Sequence, residues 1–277
     1  MKKMLMVFLV LGIMVFSGCT DGMGGGGGAP SIRISDFGPL TIGTQAQPVR
    51  NRRPVTITAI FKNEGGAEVP DQEGRARLIG LGSDWTWDSA VEQQFGLKPG
   101  QERMVRWRVI SPETSNYVFD IAYPVEVRYE FPYGTAFRGV FAWLSEAEYN
   151  TIVDSGDQVL IEEALQGKGL TVEQSSLGPV GIDLEEVEFI GQPEVKLRIE
   201  NRGSGHLLGN TVTLDTNNLV CEDSGNVELI NGQFETYCDV VTAQEGVPTD
   251  ITVTINYNYY VSDTTEVHYH DTGRSAT

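Results

Sequence analysis

Histidine and cysteine are scarce, three of each in 277 residues. His206, His268 and His270 are the whole stock of imidazoles, and no G-x-S-x-G, H-E-x-x-H, Walker A or dinucleotide glycine pattern occurs. Carboxylates are plentiful, but abundance on an acidic surface singles out no acid/base pair. No catalytic residue and no cofactor is therefore assigned, and the chain is expected not to be an enzyme. Positive charge is also short, with 20 Lys and Arg against 38 Asp and Glu, a net charge of −18. That excludes general affinity for nucleic acid or for an anionic membrane surface, since both need a basic footprint. It fits a self-repelling, soluble surface protein. No apolar run reaches the ~20 residues of a membrane-crossing helix, and no N-x-S/T sequon is present, so N-linked glycans are not expected to shape the surface.

What is present begins with a positive Met1-Lys2-Lys3 and an apolar run from Met4 to Phe16, the length of a signal-peptide core. Ser17, Gly18 and Cys19 follow. Small residues ahead of a cysteine resemble the bacterial and archaeal lipobox, although Phe16 stands where leucine is usual. The resemblance implies that residues 1–18 are a signal peptide, and that Cys19 carries lipid and anchors the protein to the outer face of the cell membrane. An ordinary secretory signal or a short anchor is the alternative. Residues 19–30, including the glycine run before Pro30, offer no side chains to pack and read as a tether with an r.m.s. span of roughly 20 Å. With Cys19 committed to lipid, Cys221 and Cys238 remain, and an oxidising exterior favours joining them; two free thiols are the alternative.

The mature length suits two ordinary domains. The remaining chain is dominated by period-two patterns, as in Pro54–Phe61, Arg103–Ile110, Tyr123–Phe131, Pro193–Asn201 and Thr249–Tyr260. Alternation of this kind puts one strand face in a core and the other in water, which is the habit of antiparallel sheets. Three pieces recur in order. FKNEGGAEV with Asn63 is matched by RIENRGSGHLL with Asn201; LKPGQ (Leu97–Gln101) by LINGQ (Leu229–Gln233); and VEVRYEF (Val125–Phe131) by VTINYNY (Val253–Tyr259), at offsets of 138, 132 and 128 residues. Three matches in order argue for two copies of one domain.

Strand, N-x-G turn, and a later L-x-P-G-Q turn before another strand resemble the immunoglobulin-like, CARDB-type modules that occur in tandem on archaeal and bacterial surface proteins. The resemblance implies adhesion, spacing or assembly, and it carries no functional residues to transfer. The expected fold is all-β: two tandem immunoglobulin-like antiparallel β-sandwiches, at 31–143 and 175–270, joined by a partly helical connector at 144–174 and followed by a disordered tail at 271–277. In the connector, Ser145-x-x-Glu148 has capping-box spacing, and Asp157 with VLIEEAL and Gly167 reads as a short helix with a glycine stop.

Few residues invite a site. In Asp84-Trp85-Thr86-Trp87-Asp88 an extended backbone sends both indoles to one side. Exposed, they would stack on sugar rings while Asp84 or Asp88 bonds hydroxyls; buried, they fill a sandwich core or edge, which is the favoured reading. His268 and His270 share a strand face, yet two ligands do not make a metal site. Asp183, Glu185, Glu186 and Glu188 offer clustered oxygens, but alternation splits them across faces and no calcium loop is present. The function expected is a non-enzymatic cell-envelope lipoprotein acting as spacer, adhesin or assembly component through a protein partner, with an extracytoplasmic glycan- or solute-binding module as the alternative.

Overall fold

The computed structural model describes residues 32–115, 117–176, 178–241 and 247–273. The expected signal segment, Cys19 and the expected tether lie outside these residues.

The alternating runs form strands. The first repeat contributes β1 (Ile32–Pro39), β2 (Val49–Arg50), β3 (Pro54–Asn63), β4 (Arg75–Ile79), β5 (Thr86–Trp87), β6 (Glu92–Gln94), β7 (Glu102–Ile110) and β8 (Val118–Ala142). Helices α1 (Glu146–Asp154) and α2 (Gln158–Leu165) follow, then β9 (Gly169–Ser175). The second repeat contributes β10 (Val180–Glu188), β11 (Glu194–Asn201), β12 (His206–Leu207), β13 (Thr211–Asn217), β14 (Leu219–Cys221), β15 (Gly225–Glu228), β16 (Gln233–Val240) and β17 (Thr249–Thr272). The strand order repeats: one four-stranded sheet runs β1-β3-β7-β5 and a second β10-β11-β16-β14. Both pack on a single large sheet with the path β15-β13-β17-β8-β4-β6. The result is mainly β, two immunoglobulin-like antiparallel sandwiches with a partly helical connector.

The turns explain why the motifs recur. Asn63 ends β3 fully buried; its Nδ2 donates to the carbonyls of Ala67 (2.8 Å) and Leu97 (3.0 Å), and its Oδ1 accepts from the Gly65 N–H (3.0 Å). Asn201 ends β11 in the same way, with Nδ2 donating to the Gly205 carbonyl (3.2 Å) and Oδ1 accepting from the Tyr259 hydroxyl (3.1 Å). In the later turns Gly100 (φ 76°) and Gly232 (φ 81°) take the left-handed conformation, and Gln101 and Gln233 each bond back three residues, to Lys98 and Ile230. Two corners and two turns thus fix equivalent hairpins in both repeats.

The large sheet joins the repeats in a way their sequence does not announce. β8 and β17 pair without interruption from Thr249 opposite Phe141 to Thr272 opposite Val118, a ladder roughly 80 Å long at about 3.3 Å per residue. The first half of β8 lies beside β4 and the second half beside β9. β17 does the converse, lying first beside β13 and ending beside β2. Each sandwich therefore receives its last strand from the other repeat. The expected boundaries at 143 and 175 do not divide the fold in space, because residues 262–272 complete the first sandwich and residues 137–142 complete the second. The expected tail also starts too early. Asp271 and Thr272 belong to β17, and the Asp271 carboxylate accepts from the N–H groups of Ser115 (2.8 Å) and Gly273 (2.9 Å) and from Asn51 Nδ2 (2.9 Å). Desolvation pushes this carboxyl up, but those donors outweigh it and hold it well below the ordinary carboxylate range.

Alternation does not lapse where one sandwich meets the other. Odd positions of β8 from Val125 to Phe141 are buried, as are those of β17 from Ile251 to Val261 and from Val267 to Asp271, so both four-stranded sheets lie on one face. The junction is filled by Phe131, Tyr133, Tyr257 and Tyr259, with ring centroids 6.0–6.2 Å apart. Their hydroxyls find partners on both repeats. Tyr133 accepts from the Ala67 N–H (3.0 Å), and Tyr257 lies 3.0 Å from the Thr135 hydroxyl and accepts from the Val180 N–H (3.3 Å). Burial pushes the Tyr257 phenol far above its usual value and that of Tyr259 up to about 12, so both remain neutral.

Candidate functional site

The Trp-containing stretch sits at the edge of the first sandwich. Trp85 is 3% exposed and meets Tyr123 and Tyr269 edge-on at 5.4 and 6.2 Å; Tyr269 comes from the exchanged end of β17. Trp87, on β5 opposite Val109, is half-buried against the same core. Asp84 accepts from the Tyr123 hydroxyl (3.3 Å), and burial, followed by this carboxylate, raises the Tyr123 phenol. Asp88 pairs with Arg108 at 3.0 Å. The pair of indoles is thus no open platform for a sugar ring.

The other groups singled out in the sequence are dispersed. His268 and His270 do share the open face of β17, but His268 Nε2 faces Glu266 (3.3 Å) and His270 Nδ1 faces Asp120 (2.7 Å). Among the described residues no group of three ligands is positioned for a metal ion. Asp183 is paired with Arg202, and Glu186 accepts from the Leu170 N–H (2.9 Å). A register shift separates Glu186 from Glu188.

Cys221 and Cys238 form a disulfide between directly opposed residues of β14 and β16. It fastens a three-residue edge strand and closes a loop across a sequence separation of 17. Chain entropy gives such a bridge about 3 kcal/mol. Replacing both cysteines by serine is expected to lower stability in urea by about that amount, with the strand order kept, as read from the shift in midpoint.

The open face of the large sheet is polar. At mid-length, small floor residues Pro132 and Gly134 lie beside Asn256 and Asn258 in a hollow of about 430 Å³, walled by Glu68 and Glu73 on one side and Thr211 on the other. No local sequence pattern encodes this hollow, since it depends on the pairing of β8 with β17. The distribution of charge, by contrast, is legible in the sequence. Residues 32–143 carry 13 basic and 13 acidic side chains, whereas residues 144–273 carry 4 and 24. The net negative charge therefore belongs to the connector and second repeat.

Six of those carboxylates belong to the helical segment at the far end of the second sandwich, where α1 and α2 lie. The Ser145 hydroxyl accepts from the Glu148 N–H (3.2 Å) and Glu148 Oε2 accepts from the Ser145 N–H (3.4 Å), the expected capping box. Asp157 caps α2 through the Val159 N–H (3.0 Å). Neither helix has a buried residue.

No family model and no curated protein matches the sequence. Among solved structures, the D0-D1 domain of Intimin aligns at 10% identity over 85% of this chain and 98% of that one, with a TM-score of 0.21. A protein of unknown function from Porphyromonas gingivalis W83 aligns at 11% identity over 76% and 83%, with a TM-score of 0.22. Overlaps this slight bear on neither activity nor partners. The class defined by topology alone is a mainly-β module of two immunoglobulin-like sandwiches.

Proposed function

We propose that the chain is a non-enzymatic, lipid-anchored module of the cell surface: a stiff two-sandwich arm that holds its loops and poles away from the membrane for contact with a protein partner. The observation that carries this reading is the unbroken β8–β17 ladder. Bending between the sandwiches would break ladder hydrogen bonds and separate the aromatic junction, so the two act as one body. The signal segment, the Gly-rich tether and the disulfide all fit an oxidising exterior. β1 opens at Ile32 opposite Asn63, whose turn reaches Tyr133 in mid-ladder, so the tether joins the arm near its middle and leaves both poles free. Cys19→Ser is expected to release the protein from the membrane fraction into the medium. Retention with the membrane would overturn the anchor.

A further inference from the structure

The pole formed by α1 and α2 is an unfinished packing element. Helices of 9 and 8 residues are too short to be stable in isolation, and no side chain of either is buried. The inner side of α2 is supplied by half-buried Ile161, Ala164 and Leu165. Its outer side presents two apolar side chains, Val159 62% and Leu160 48% exposed, beside the exposed Glu162 and Glu163. α1 is flanked by two hollows. One, of about 400 Å³, is lined by Leu144, Ala147, Glu148, Thr151 and Ile152. The other, of about 720 Å³, includes Tyr149, Ile190 and Trp143 in its wall, and the buried Trp143 indole N–H has no acceptor.

Electrostatics narrows what can cover this surface. Between Ser145 and Gly167 there are six carboxylates (Glu146, Glu148, Asp154, Asp157, Glu162 and Glu163) and no Lys or Arg. None of the six pairs with a cation among the described residues. A second copy of the pole would set six carboxylates against six, and an anionic lipid surface would be repelled. We infer that the helical pole is a docking site for a basic amphipathic helix of a partner protein. The partner's apolar stripe lies against Val159, Leu160 and the Leu144–Ile152 hollow, and its Lys or Arg flanks meet the acidic rim, the helix-in-groove mode of recognition. This rests on the reading of the chain as a contact module and names the surface that makes the contact.

The test uses the full mature chain with Cys19→Ser and a Leu/Lys peptide about 18 residues long with leucines at i, i+3, i+4 spacing. Calorimetry is expected to give one-to-one binding that weakens with added salt. Val159→Asp with Leu160→Asp should weaken it about tenfold or more, since those side chains lose their burial. Glu162→Gln with Glu163→Gln, which leaves the apolar face intact, should weaken it about threefold and flatten the salt dependence. Equal binding by both variants, or by a scrambled Leu/Lys peptide with no apolar face, would overturn the proposal, as would no binding at all. Self-association lost in the Val159/Leu160 variant would assign the pole to a second copy, and uptake by phosphatidylcholine vesicles lost in it would assign it to lipid; either result also overturns the proposal. Because release by Cys19→Ser is measured separately, failure of the peptide leaves the anchored-arm reading standing.

Discussion

Expressed apart, the two repeats fail to fold. Residues 32–143 without the rest lack Val267 and Tyr269, which are buried in the first sandwich and come from the exchanged end of β17. Residues 144–273 lack Phe137 and Phe141 of β8, which fill the second. One buried aromatic with an aliphatic neighbour withdraws roughly 300 Å² of apolar surface from water, about 7 kcal/mol. That is comparable with the whole stability of an ordinary domain. Each fragment also exposes a long strand edge that its partner covers in the intact chain, an invitation to aggregate. Circular dichroism and one-dimensional NMR are expected to show no cooperative melt and poor dispersion for either fragment alone, with recovery when the two are co-expressed. A cooperative transition from a single monomeric fragment would contradict the reciprocal exchange of strands.

Asn63→Ala is expected to cost about 4 kcal/mol, the largest effect of any single side-chain truncation in the turns. The side chain is wholly buried and bonds two carbonyls and one N–H; alanine leaves the Ala67 carbonyl and the Gly65 N–H without that partner, while the Leu97 carbonyl keeps the Val69 N–H (2.9 Å). Each unsatisfied buried group costs about 1–3 kcal/mol. The equivalent Asn201→Ala should cost about 2 kcal/mol, since that corner is only part-buried and makes one backbone and one hydroxyl contact. Urea unfolding of the two variants measures both values. Equal losses would mean that the second corner is as dry as the first; a negligible loss at Asn63 would mean that the corner relaxes around the change.

The strands, corners and caps were legible because each rests on local physics. Alternation at Pro54–Phe61 or Thr249–Tyr260, the Asn-Gly corners, and the Ser145-x-x-Glu148 box need no distant partner to take shape. The exchange of strands was not legible. Pro132-Tyr133-Gly134 reads as the end of a strand, and Ser262-Asp263-Thr264 as a polar gap. In the fold both are passed without a break; along β8 the pairing with β4 reaches only Glu130 and that with β9 takes up at Phe137, and a proline is tolerated where one edge of the strand has no neighbour. Trp85 shows the same limit at a single residue. Its period-two partner Trp87 allowed either an open or a closed pair, and what closes it is Tyr269, a ring brought from the other repeat by a pairing that no local pattern encodes. The acidic connector was read correctly as partly helical, but its exposed Val159 and Leu160 gain meaning only once the helices are seen to lack a packing partner.

Whether the two sandwiches form one stiff body is measured by the distance between two points on a single strand. Ala122 and Arg138 are both exposed on the open face of β8, one in each sandwich. With Cys19→Ser in place, spin labels at Ala122→Cys and Arg138→Cys should give a single narrow distance of about 50 Å by pulsed electron resonance, the span of 16 residues of continuous strand. A broad or bimodal distribution, or a mean well short of that span, would show a hinge at the junction and contradict the rigid arm.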